Sequence, residues 1–194
     1  MLDNKKIIVD LHKREVPKRS ANTIKPVITK NFLSLKNKMI AEFLGHPVTR
    51  EIEGGITSPN ISKTLSSGKG NLFSFIGFYQ GDKPIEPILE LLRATSIRFV
   101  RTTNTYVEHE VTLPSSEEIF AVTPIPWAPN RSWARGIEVG ISGYGYYLNR
   151  AYRDSRSGRG LQTKNRIKGR SGKFKNVKYI SELLNKYRKL FNQL

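Results

Sequence analysis

The chain has 194 residues, 38% of them hydrophobic, and 33 Lys/Arg against 16 Asp/Glu give it a formal net charge of +17. It has no cysteine, which excludes disulfide stapling, cysteine-ligated metals and thiol catalysis and fits a reducing compartment or a particle built in one. The surplus charge sits at the ends: residues 1–30 hold eight cations and three acids, residues 150–194 hold fourteen and two, and residues 31–149 hold eleven of each. A neutral body with basic ends docks onto something acidic, whether protein, nucleic acid or lipid headgroups. That pattern predicts a part of an assembly rather than a soluble enzyme. The longest apolar stretches, such as 72–79 (LFSFIGFY), are too short to span a bilayer. The N-terminus is basic but carries acids and has no long apolar run, so it does not read as a secretory signal.

In chain order, residues 1–30 read as a basic arm whose early apolar cluster, Ile7, Ile8, Val9 and Leu11, suits a short strand. A strand of this kind in an isolated subunit is an unprotected edge, which suggests pairing with a neighbouring subunit; the alternative is a strand in the chain's own sheet. Residues 31–44 predict an amphipathic helix, with Phe32, Leu35, Met39, Ile40, Phe43 and Leu44 at helical spacing and Gly45 and Pro47 as its stop. Its start can lie earlier, after Pro26. Residues 45–71 read as a polar loop that holds Glu51 and Glu53. Within it, Ser67-Gly68-Lys69-Gly70 is only a fragment of a phosphate loop.

Residues 71–79 are apolar on both faces and predict a buried strand. Asp82 then caps a short helix whose buried stripe is Ile85, Ile88, Leu89 and Leu92. Residues 96–113 predict a β-hairpin, with a turn within 102–105 and with Val107, His109, Val111 and Leu113 on one face. Ser115 and Glu118 have capping-box spacing before one brief helix. Residues 123–129 (TPIPWAP) are extended, Trp133, Ile137 and Ile141 form a helical stripe, and Tyr144, Tyr146 and Tyr147 suit a strand. Residues 150–175 are basic, rich in Gly and Ser and poor in apolar side chains, and residues 177–191 resume a helix with Val177, Ile180, Leu183, Leu184, Tyr187 and Phe191 on its apolar face.

The expected architecture is therefore α+β: a small antiparallel sheet or hairpins packed by an early helix and a C-terminal helix, with extended basic arms. The expected division is a basic arm at 1–30, a core domain at 31–149, a basic Gly/Ser-rich loop or arm at 150–175 and an amphipathic helix at 176–194.

The chain offers little chemistry. His12, His46 and His109 lie far apart and show no metal-ligand spacing. His109, on an apolar strand face, reads as a core or interface histidine. Glu117 and Glu118 are accounted for by helix capping, and no cluster of carboxylates lies beside a positioned lysine. None of the hydrolase, zinc-protease or dinucleotide fingerprints occurs. No enzymatic activity, cofactor or metal is expected. The side chains expected to meet an acidic protein partner or DNA are Arg153, Arg156, Arg159, Lys164, Arg166, Lys168, Arg170, Lys173 and Lys175. Tyr147, Tyr152 and Phe174 are placed to stack on bases if the partner is nucleic acid.

The run from Trp133 to Gly140 (WARGIEVG) reads aromatic-Ala-x-x-aliphatic-Glu-x-Gly. It resembles the Tyr-Ala-x-x-Val-Glu-x-Gly signature of small minor tail proteins of long-tailed phages, the tail-completion or neck proteins encoded between head-connector and tail-tube genes. The order of an early helix, a β-rich middle, this motif and a basic Gly/Ser segment is also similar, over 31–150. The chain departs from that pattern in its Trp for Tyr, its long basic N-terminal arm and its distinct C-terminal helix.

The resemblance implies an α/β subunit that closes into a homo-oligomeric ring, hexamer or dodecamer, around the DNA channel at the head–tail junction of a virion assembled in the host cytoplasm. Its partners would be connector, terminator or tail proteins, with non-specific contact to DNA and none to a membrane. No catalytic residues come with it. Trp133, Ile137, Glu138 and Gly140 are then fold anchors or subunit contacts: Glu138 can hold a helix end or an arginine, and the glycines permit close backbone approach. Two other classes compete. A nucleic-acid-binding protein of ribosome-like or nucleoid type would bind DNA of arbitrary sequence in a salt-dependent way, and a divalent-metal nuclease would need Mg²⁺ for hydrolysis.

Overall fold

The computed structural model describes residues 21–65, 70–102, 107–126, 128–139, 148–149, 161–162 and 175–194. In these residues the chain is α+β, as its periodicities predict. The helices are α1 (Ala21–Gly45), α2 (Pro47–Glu53), α3 (Leu72–Ile76), α4 (Glu86–Arg93), α5 (Ser116–Ala121), α6 (Trp133–Val139) and α7 (Ile180–Phe191). The strands are β1 (Ser96–Thr102), β2 (Val107–Thr112), β3 (Pro124–Ile125), β4 (Ala128–Ser132), β5 (Leu148–Asn149) and β6 (Leu161–Gln162), which pair antiparallel as β1–β2, β3–β4 and β5–β6.

Two helices at opposite ends of the sequence form the frame. α1 starts ten residues before the expected core and contains Pro26 as its sixth residue, in the second turn, where it forgoes one amide bond of the helix. Its inward side chains Ile28, Phe32, Met39 and Phe43 are buried. The buried face of α7, Ile180, Leu183, Leu184, Tyr187 and Phe191, meets that stripe, and Phe32 and Phe191 touch with ring centroids 5.4 Å apart. Each fully buried side chain of this kind contributes about 1.5–3 kcal/mol. At the rim, Glu42 accepts hydrogen bonds from Lys186 Nζ at 2.7 Å and from the Tyr187 hydroxyl at 2.8 Å. The Lys186 ammonium, ahead of the other influences, holds the Glu42 carboxyl below the usual carboxylate range. So the C-terminal helix belongs to the core, and the functional division at 31 and 176 does not divide the packing.

The short elements differ from expectation in instructive ways. The segment at 71–79 is a helix and not a strand: Asn71 Oδ1 caps it by accepting from Ser74 N at 2.9 Å, and Gly77 ends it with φ of 88°. Leu72, Phe73, Ile76 and Phe78 are all buried, and a short run buried on every side carries no period by which to tell helix from strand. The polar loop at 45–71 contains α2 and a 3₁₀ turn at Gly55–Thr57. Asp82 does not cap α4; its carboxylate accepts from Tyr79 N at 2.7 Å and closes the preceding turn. The hairpin and the Ser115–Glu118 capping box form as expected. The expected turn within 102–105, the Ser67-Gly68-Lys69-Gly70 fragment and the Tyr144/Tyr146/Tyr147 strand fall in whole or part outside the described residues.

Candidate assembly site

The eight-residue motif builds a junction between α6 and α7. Ser132 Oγ accepts from Arg135 N at 3.0 Å and so starts α6, while Trp133 N donates to Thr123 O at 2.9 Å and ties that start to the end of α5. Trp133 is 1% exposed; its ring meets Phe78 edge-on at 5.9 Å and lies 6.4 Å from the Tyr179 ring. Ile137, one turn on, is fully buried. The next residue points the other way. Glu138 accepts from Ser181 N at 2.6 Å and from Ser181 Oγ at 2.5 Å, in the first turn of α7. A carboxylate at that place satisfies an otherwise unbonded amide and faces the positive end of the helix. The backbone closes the same joint, Val177 N donating to Ile137 O at 3.2 Å. Gly140 lies outside the described residues.

A second polar group pins the chain just before α7. Tyr179 is buried, with its hydroxyl 2.8 Å from Thr49 Oγ1 in α2, and burial raises its pKa well above the ordinary tyrosine value. His46 lies against the same ring, centroids 4.9 Å apart. Its Nδ1 accepts from Val48 N at 3.2 Å and caps α2. A ring nitrogen that accepts carries no proton, so the imidazole in this geometry is neutral. Burial, the largest influence, moves its pKa below the usual 6.5.

Sequence reasoning misplaced two acids, Glu51 and Glu53, both of which lie in α2. Glu51 does not sit in a polar loop but is buried in α2, where Oε1 accepts from Leu72 N and Oε2 from Ser62 N, each at 2.7 Å. It fastens α3 and the chain around 62 to α2. Its position one residue before Ile52, in a run that begins at Pro47, is the signal of a short helix that could have found it.

The hairpin is built differently. On its inner face Val107, His109 and Val111 of β2 are buried, while Ile97 and Phe99, opposite Val111 and His109, are half-buried. His109 is 2% exposed, and neither ring nitrogen has a hydrogen-bond partner; burial lowers its pKa. Across the outer face, Arg98 meets Glu110 at 2.6 Å and Arg101 meets Glu108 at 3.8 Å. Phe99 and Arg101 flank a register shift at Val100.

Of the cations expected to meet a partner, Lys175 is described: it is exposed, and its amide donates to Thr64 O at 2.9 Å. Arg153, Arg156, Arg159, Lys164, Arg166, Lys168, Arg170 and Lys173 lie outside the described residues, as do Tyr152 and Phe174. Among the described residues no cluster of His, Asp or Glu could hold a metal ion, and no helix is long and apolar enough to cross a membrane. Comparison with family models, curated proteins and solved structures gives no match.

Proposed function

We propose that this chain is a structural protein of a tailed-phage virion, a ring-forming neck or tail-completion component that joins the head connector to the tail around the DNA channel. The observation that carries this reading is the motif itself. Its aromatic is a core anchor and its glutamate clamps the following helix, so the residues shared with that family's signature serve architecture and leave no group free for chemistry. The distribution of charge supports it: a neutral body, and cations gathered in 150–175. The subunit would act as a homo-oligomer, contacting connector, terminator or tail proteins, and would be found at the head–tail junction.

The test is charge reversal at Arg166, Lys168 and Arg170, each to Glu, followed by electron microscopy of the particles. Single exposed ion pairs contribute only about 0–1 kcal/mol, so one reversal should do little and three should block joining. Full heads without tails are the expected result. Intact, infectious particles would reject the joining role. Joined particles that leak DNA, together with salt-dependent binding of DNA of arbitrary sequence, would favour the nucleic-acid reading.

A further inference from the structure

The inner face of the β1–β2 hairpin divides into two halves. Nearer its root, Val111 and its cross-strand partner Ile97 join the main core. Nearer its tip, Val107 is 6% exposed and His109 2%, and Phe99 stands opposite His109. Among the described residues the main core takes in neither Val107 nor Phe99. These side chains form a patch of their own. The Phe99 and His109 rings lie 6.3 Å apart, and the Lys25 ammonium of α1 lies 5.6 Å from the centre of the Phe99 ring. The register shift between Phe99 and Arg101 falls beside this patch. An extra residue in one strand interrupts the ladder, so the pairing is weakest where His109 sits.

His109 is the ionisable group of the patch. Both its ring nitrogens are buried without a hydrogen-bond partner. A neutral imidazole bears that at the cost of unmade bonds, but a buried imidazolium without a partner is far more costly. The charged groups around it do not relieve that cost. α1 packs against β1 and brings Lys25, a cation, to the Phe99 ring. Lys36, also from α1, is engaged at the root with Arg93 O and Thr95 O. On the hairpin itself, Arg98 with Glu110 and Arg101 with Glu108 pair across the opposite, outer face. Burial accordingly moves the His109 pKa below the ordinary 6.5. His46 differs, because it is bonded and caps α2.

We propose that His109 is an acid-sensitive latch: on taking up a proton it releases the tip half of the hairpin, 99–102 with 107–109, from α1, while the root half at Ile97 and Val111 stays docked. The proton comes from solvent and adds to a ring nitrogen, and the imidazolium is hydrated once the tip has opened. Above pH 6.5 the ring is neutral in both forms, and the closed form keeps its full advantage. Below 6.5 the open form binds more protons than the closed one, so its population rises about tenfold per pH unit until the closed ring itself titrates. The root does not follow, because Val111 and Ile97 sit on the core and Lys36 holds the bend before β1. Opening would present Phe99, Val107 and a new positive charge together, on a face that is covered at neutral pH. The latch does not depend on the virion reading.

Amide exchange of the full-length chain from neutral to mildly acidic pH, corrected for the pH dependence of the exchange chemistry, tests the latch. Those amides of 99, 102, 107 and 109 that bond across the ladder should keep constant protection above pH 6.5 and lose about tenfold per pH unit below it. Where they have lost protection, Val111 and Leu184 should remain at least about tenfold better protected. Constant protection at the tip through the whole range overturns the proposal. Loss at the tip, at Val111 and at Leu184 together overturns it as well, since acid then acts on the whole fold. In His109→Phe the tip should stay protected through the same range, and an equal loss there means that His109 is not the group. A measurement on the unmodified protein needs no variant. The His109 ring, followed by NMR, should titrate with the same midpoint as tip opening, and a ring that titrates while the tip stays protected overturns the coupling.

Discussion

The joint between α6 and α7 and the β1–β2 hairpin handle buried polar groups in opposite ways. At the joint, Glu138, Ser181, Tyr179, Thr49 and His46 all have partners within the described chain. In the hairpin, His109 is buried with neither nitrogen bonded, and Ile97 and Phe99 of the outer strand are only half-buried. A buried polar group with a partner rigidifies the fold, and one without a partner costs free energy. The joint is finished as it stands, and the hairpin is the less complete half of the molecule.

The strongest way to break the joint is Trp133→Ala. Truncating a buried tryptophan costs about 3–5 kcal/mol, and urea unfolding should show a lower midpoint with an unchanged slope. An unchanged midpoint would remove Trp133 from the core. Next in size is Glu138→Ala. Loss of hydrogen bonds to a charged acceptor costs about 1.5–3 kcal/mol, and amide exchange should quicken first around Ser181. Equal quickening across the whole chain would mean that Glu138 does not act locally on α7.

Acid sharpens the comparison. The pKa values of His46 and His109 are both lowered by burial, so the folded chain binds fewer protons than the unfolded chain. Their stabilising neutral forms are fully present above the usual histidine value of 6.5 and are lost as pH falls below it. Stability should therefore decline on acidification through that range. His109→Phe removes an unbonded polar group and should weaken the decline without loss at neutral pH. His46→Phe also weakens it, but uncaps α2 and so destabilises at neutral pH by about 1 kcal/mol. If both variants behave alike, the proposed contrast between the two regions fails. The smallest effect is expected for Arg98→Ala, an exposed pair worth about 0–1 kcal/mol, read as a slight fall in melting temperature that salt abolishes.

The sequence displayed the long periodic elements well. α1 and α7 carry apolar stripes over several turns, the hairpin alternates cleanly, and Ser115 with Glu118 spells out its own cap. The failures fall on short pieces. α3 is five residues long with four of them buried, so its helical form is decided by Asn71 and Gly77 at its ends and by Glu51 from another helix. α2 is hidden in a stretch whose Gly, Ser and Thr content reads as loop. The role of Glu138 could be stated as a choice between a helix end and an arginine, but the choice of Ser181, forty-three residues away, is a matter of tertiary packing.

Lys36 gives the fold a mechanical property. From the middle of α1 its ammonium donates to Arg93 O at 2.5 Å and Thr95 O at 2.7 Å, where α4 ends and β1 begins. This one side chain pins the root of the hairpin to the helix that also braces α7. A pull on the hairpin by any neighbour is thus delivered to the α1–α7 pair rather than absorbed at the α4–β1 bend. Without the pin, the hairpin would be held to the body by the packing of Val111 and Ile97 on the core.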